Sequence, residues 1–124
     1  MRFKTIVGIP AATPANATFN GPAIPIGNMT ALSSQFVVAG ATTPSSTGKI
    51  QVSDDAPGDG TERGFVPTNW SDLPLATIPI AANGVFLTPV VNVCARWARL
   101  VYTYASGTAG TVVANLHAQG YGAG

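Results

Sequence analysis

The segment Thr111-Val112-Val113-Ala114-Asn115-Leu116-His117-Ala118-Gln119 decides the fold class. Val112, Ala114, Leu116 and Ala118 occupy one side of a two-residue period; Thr111, Val113, Asn115, His117 and Gln119 occupy the other. An extended backbone sends successive side chains to opposite faces, so this pattern is a half-buried strand with one wet face. The period recurs upstream. Ile50 and Val52 alternate with Lys49, Gln51 and Ser53, and Ile78 and Ile80 alternate with Thr77, Pro79 and Ala81. Residues 35–39, 85–91 and 96–104 complete a set of six or seven strands. No window of about ten residues carries a helical apolar stripe.

Turn chemistry punctuates these runs at residues 43–48, at Ala82-Asn83-Gly84 and at residues 106–110. Asn and Gly tolerate positive φ, so Asn83-Gly84 predicts a tight hairpin between residues 77–82 and 85–88. Residues 96–104 and 111–119 are expected to pair as a longer hairpin. Antiparallel strands at this spacing predict an all-β fold, a β-sandwich or small jelly roll. Residues 1–31 read differently. Pro10, Pro14, Pro22 and Pro25 interrupt both helix and sheet ladders. The expectation is a proline-rich extended N-terminal arm over residues 1–31, with one short strand at residues 3–7, followed by a sandwich domain over 32–124. Such an arm would lie on a neighbouring subunit through Phe3, Ile6, Ile9, Phe19, Ile24 and Ile26.

Composition narrows function more than motifs do. Of 124 residues only 9% are charged, with six basic against five acidic, giving a formal net charge of +1. So small a surplus cannot make the counterion-release footprint of a nucleic-acid binder. No apolar run approaches the roughly 20 residues of a membrane span. Met1 to Pro10 imitates a secretory signal, but the apolar stretch at residues 6–9 falls short of the about 7–15 residues needed. A surface covered by Thr, Ser, Asn, Gln and Ala loses its water cheaply and matches the composition of interfaces, where Lys and Glu are depleted.

Chemistry-bearing residues are few. Cys94 is the single cysteine, which excludes an internal disulfide, and between Val93 and Ala95 it reads as a small buried hydrophobe. Asp54, Asp55, Asp59, Glu62 and Asp72 fall in one long connection; Asp55, Asp59 and Gly60 imitate a calcium loop until Pro57 and Val66 break the pattern. No metal and no cofactor are expected; the reading is a solvated connection, with a less regular calcium site as the alternative. His117, Ser106 and Asp72 have no spacing that joins them as a triad, and no nucleophile elbow exists. On residues 96–104, alternation sets Trp97, Arg99, Val101 and Thr103 on one face. Arg96, Arg99 and Trp70 are candidate contacts with a partner.

Three further stretches recur in order: Gly48-Lys49-Ile50-Gln51-Val52-Ser53-Asp54, Pro67-Thr68-Asn69-Trp70-Ser71-Asp72-Leu73, and Arg96-Trp97-Ala98-Arg99-Leu100-Val101-Tyr102-Thr103 with Ser106-Gly107-Thr108-Ala109-Gly110-Thr111. Over about residues 33–120 this series resembles small virion structural proteins of tailed bacteriophages. The departures are Asp55 with its Pro/Gly insertion and the proline-rich first 31 residues. The resemblance implies a β-sandwich particle protein without enzyme activity. The expected role is a capsid decoration or cement protein on the virion surface, made in the host cytoplasm. Its expected partners are the major capsid protein and further copies of itself, as a dimer or trimer. The alternative role is a tail, adsorption or head-fibre component that binds a receptor or glycan through residues 54–72.

Overall fold

Short-period alternation with β-branched residues produces ten strands in the computed structural model, which describes residues 2–27, 29–55 and 65–120, with side chains from Lys4 onward. They are β1 (Arg2–Pro14), β2 (Phe19–Asn20), β3 (Ile24–Pro25), β4 (Ala31–Ala39), β5 (Thr42–Ser53), β6 (Ser71–Ile80), β7 (Gly84–Leu87), β8 (Val91–Asn92), β9 (Trp97–Thr108) and β10 (Thr111–Gly120). Two antiparallel five-stranded sheets pack as a β-sandwich, with no helix among the described residues. Sheet one runs β1-β10-β4-β7, with β8 also on β4; sheet two runs β2-β9-β5-β6, with β3 also on β9.

Inward-facing residues from both sheets make one core. Val112, Ala114, Leu116 and Ala118 of β10 are buried, as their alternation requires, and meet Phe36 and Val38 of β4, Ile50 of β5 and Leu100 and Tyr102 of β9. Each large aliphatic side chain so buried contributes about 1.5–3 kcal/mol relative to exposure. Gly48 in β5 exists for this packing. A Cβ there would lie 2.8 Å from the Phe36 ring, so the missing side chain is the space the ring occupies.

Neither expected hairpin forms. β6 belongs to sheet two and β7 to sheet one; β9 belongs to sheet two and β10 to sheet one. The intervening turns are arches that carry the chain across the core. Gly110 sits in one arch at φ 87°, where a Cβ would meet the Ala41 backbone at 2.7 Å. Asn83 does not serve a two-residue hairpin turn. Its side-chain oxygen accepts from Ala41 N and its Nδ2 donates to Ala41 O, both at 2.9 Å, pinning one arch to the next. Alternation specifies which face of a strand is wet, and two strands facing each other across a core alternate as neighbours in one sheet do. The supposed turn at residues 43–48 is also strand, part of β5, accommodated by register shifts between Thr42 and Ser45 and between Ser45 and Ser46.

The N-terminal arm is corrected as well. β1 pairs along β10 from Arg2↔Gly120 to Pro14↔Thr111, with register shifts between Val7 and Ile9 and between Ile9 and Thr13. It forms an edge of sheet one. An edge strand needs partners on one side only, so Pro10 and Pro14 fit at its irregularities and end. Ile9, Ile24 and Ile26 are buried in the core, and Ile6 and Phe19 pack against it. The buried Tyr102 hydroxyl donates to Ala15 O at 2.7 Å. The described residues from Arg2 to Ile26 are therefore built into the same sandwich as the described residues that follow them.

Candidate interaction surfaces

The two outer faces differ in charge. Sheet two carries the ionic groups. Cross-strand pairing aligns Arg99 of β9, Gln51 of β5 and Asp72 of β6 in one row. Arg99 Nε donates to Gln51 Oε1 at 2.8 Å, and Gln51 Nε2 donates to Asp72 Oδ1 at 2.9 Å. Lys49 Nζ stands 3.1 Å from the same Asp72 oxygen. The hydrogen bond from Gln51, then the Lys49 ammonium, hold the Asp72 carboxyl below its ordinary pKa. Trp70, just before β6, lies under the Arg99 guanidinium, whose carbon is 4.5 Å from the ring centre. This is cation–π geometry. Burial lowers the Arg99 pKa from its ordinary value, and the guanidinium still stays charged at neutral pH.

Asp55 fastens the connection that precedes β6. Its carboxylate accepts from Thr68 N at 2.7 Å, Asn69 N at 2.9 Å and Asn69 Nδ2 at 3.0 Å. Those bonds, the Asn69 side chain first, hold its pKa below the ordinary carboxylate value. Trp97 Nε1 donates to Asp55 O at 3.0 Å, and the Trp97 ring lies 6.0 Å from Phe65. Asp55 thus ties the start of this connection to its end at Thr68 and Asn69. Asp59, Glu62, Pro57 and Gly60 of the calcium-like pattern lie outside the described residues, and no metal-ligating cluster of three occurs among the described ones.

Sheet one presents the opposite surface. Antiparallel register places Thr5, His117 and Ser33 in one row across β1, β10 and β4. Val7, Asn115, Gln35 and Leu87 form the next row, and Val113, Val37 and Val85 a third. No acid or base other than His117 stands in these rows; Lys4 occupies the alternate side of β1. Val7 is 58% exposed and Val85 and Leu87 are each 61% exposed. Thr5 Oγ1 and His117 Nδ1 are 3.1 Å apart at the rim of a shallow depression of about 310 Å³ that Gln35, Asn115 and Leu87 also line.

The structure sorts the sequence candidates accordingly. Trp70 and Arg99 come together on sheet two. Arg96 lies apart, exposed, with Nε 3.6 Å from Asp54. Ile9, Ile24 and Ile26 are buried in the chain's own core, and the half-buried Ile6 and Phe19 pack against it. Phe3 pairs with Gln119 in β1, and its side chain lies outside the described ones. Cys94 is exposed rather than buried. On either side of it Val93 and Ala95 pack against the core, and Cys94 turns away. His117 and Asp72 belong to opposite sheets, and no triad forms with Ser106. Sequence reading missed Gln51 as the bridge between Arg99 and Asp72. It also missed the Val7–Val85–Leu87 face, whose signal was Val85 and Leu87 alternating about the half-buried Phe86.

No protein-family model matches the chain, and no curated protein matches it in sequence. Among solved structures the chain is similar to the crystal structure of SPBc2 prophage-derived protein YomS, with 12% sequence identity, 95% of this chain and 94% of that chain covered, and a TM-score of 0.48.

Proposed function

We propose that this protein is a non-enzymatic structural component of a tailed-phage virion, a capsid decoration or cement protein that binds the major capsid lattice and stabilises the head. The observation that carries the reading is the outer face of sheet one, a surface suited to contact between the protein subunits of an assembly. It is a broad strand surface without formal charge, bearing three aliphatic side chains more than half exposed. Such a face is cheap to desolvate and has the composition of an interface core. The ordered series at residues 48–54, 67–73 and 96–111 adds the resemblance to virion proteins. In this role many copies bridge adjacent capsomers, and modest contacts gain strength through effective concentration.

The test is a density map of purified particles combined with quantitation of the chain. The expected result is on the order of hundreds of copies on the shell. Absence from purified particles overturns the proposal.

The row Trp70–Arg99–Gln51–Asp72 favours a second reading, a tail, adsorption or head-fibre component that binds a receptor or glycan. An aromatic ring beside fixed hydrogen-bonding groups suits a sugar. About a dozen copies or fewer per particle, located on the tail, and glycan binding lost in Trp70→Ala support that reading against the first.

A further inference from the structure

We propose that the outer face of sheet one is covered by the same face of a second copy, forming a two-fold dimer. The inference rests on the structural-protein reading above and specifies which surface joins the copies.

An isologous interface brings a patch against itself, so any net charge on it opposes its own image. This face meets that condition, because its three rows hold no lysine, arginine, aspartate or glutamate. Sheet two does not meet it as well, since Lys49, Asp72 and Arg99 all stand on its outer side. Order within the rows adds a second condition. A two-fold axis running along the strands maps β1 onto β7 and β10 onto β4 while keeping each row opposite itself. Val7 then meets Leu87 of the other copy, Val113 meets Val37, and Asn115 meets Gln35. Aliphatic groups face aliphatic groups and carboxamides face carboxamides. Carboxamides both donate and accept, so such a pair satisfies itself.

The area is sufficient. Three strands with about nine residues each in the face, and the four-residue β7, about 4.8 Å apart at roughly 3.4 Å per residue, present a face of roughly 500 Å². Two such faces bury on the order of 1,000 Å², the area a specific interface has to reach when its groups are complementary. The sheets would pack aligned, as sandwich layers do.

The experiment uses the full chain in sedimentation equilibrium, with circular dichroism to confirm folding. Wild type is expected at twice the 12.6 kDa chain mass. Leu87→Glu and Val7→Lys, at exposed positions, are each expected to shift the dimer to monomer with an unchanged spectrum. Combining them should restore the dimer at low salt, because Val7 and Leu87 face each other across the axis. Thr77→Glu on β6 of sheet two should leave the dimer intact. A wild type that sediments as a monomer at ~100 μM, or a dimer untouched by Leu87→Glu, overturns the inference. If the monomeric wild type still decorates particles and Leu87→Glu abolishes decoration, the capsid covers this face and the dimer is wrong. If a dimer forms but the chain is absent from particles, the interface stands and the virion role fails.

Discussion

Replacing Ile9 by alanine separates an integral first strand from a detachable leader. Ile9 is fully buried among the residues of the shared core. The substitution removes three carbons, each worth about 0.8 kcal/mol on transfer, so about 2.4 kcal/mol is lost before the cavity is counted. Neighbours in two opposed sheets collapse only partly, and the whole cost should fall within about 2–5 kcal/mol. With a urea slope of about 2 kcal/mol/M, the unfolding midpoint should drop by roughly 1–2.5 M. The assay is equilibrium urea unfolding of the purified chain. Lys4→Ala, exposed in the same strand, serves as the reference and should change stability by less than about 0.5 kcal/mol. If Ile9→Ala and Lys4→Ala unfold at the same midpoint, β1 does not belong to the core and the account of residues 2–26 is wrong.

Gly48→Ala should destabilise the fold by about 1–3 kcal/mol in thermal melts, because the new Cβ collides with the buried Phe36 ring; an unchanged or raised Tm would refute the packing described. Tyr102→Phe leaves the Ala15 carbonyl without its buried donor and should cost about 1–3 kcal/mol in urea unfolding. Asp55 and Asp72 both have folded pKa values below the ordinary 3.8. Their stabilising contribution is therefore full above the unfolded-state pKa and is lost as pH falls through the folded values. The double variant Asp55→Asn/Asp72→Asn should flatten the acid limb of a stability-versus-pH curve, and an acid limb identical to wild type would argue against these bonds.

The strands were legible wherever one face is buried and the other wet. Val112, Ala114, Leu116 and Ala118 turn inward as their spacing requires, and Ile50 and Leu100 do the same. Partnership between strands was not legible, because period-two alternation carries no information about which strand lies alongside. Asn83-Gly84 has hairpin chemistry, yet the chain crosses between sheets there and Asn83 bonds Ala41 instead. Pro10 and Pro14 suggested a free leader because proline is rare in a ladder; it is tolerated at the bulged edge that β1 occupies. On the candidate surfaces, Trp70 and Arg99 were recognisable as an aromatic and a cation suited to contacts. Their meeting at 4.5 Å depends on the approach to β6, which no local pattern in the sequence encodes.

The place of β10 between β1 and β4 has a consequence for biosynthesis. Sheet one has no middle until residues 111–120 have been translated. At about 5–20 residues per second, the β4 segment waits on the order of ten seconds for its partner. Leu32, Phe36 and Val38 lack their flanking neighbours Val112, Ala114, Leu116 and Ala118 for that interval, in a chain with little charge to hold nascent copies apart. Completion of sheet one is thus a late event that waits for β10. Stalling the ribosome before that strand should lower the yield of native protein by lengthening the window for aggregation.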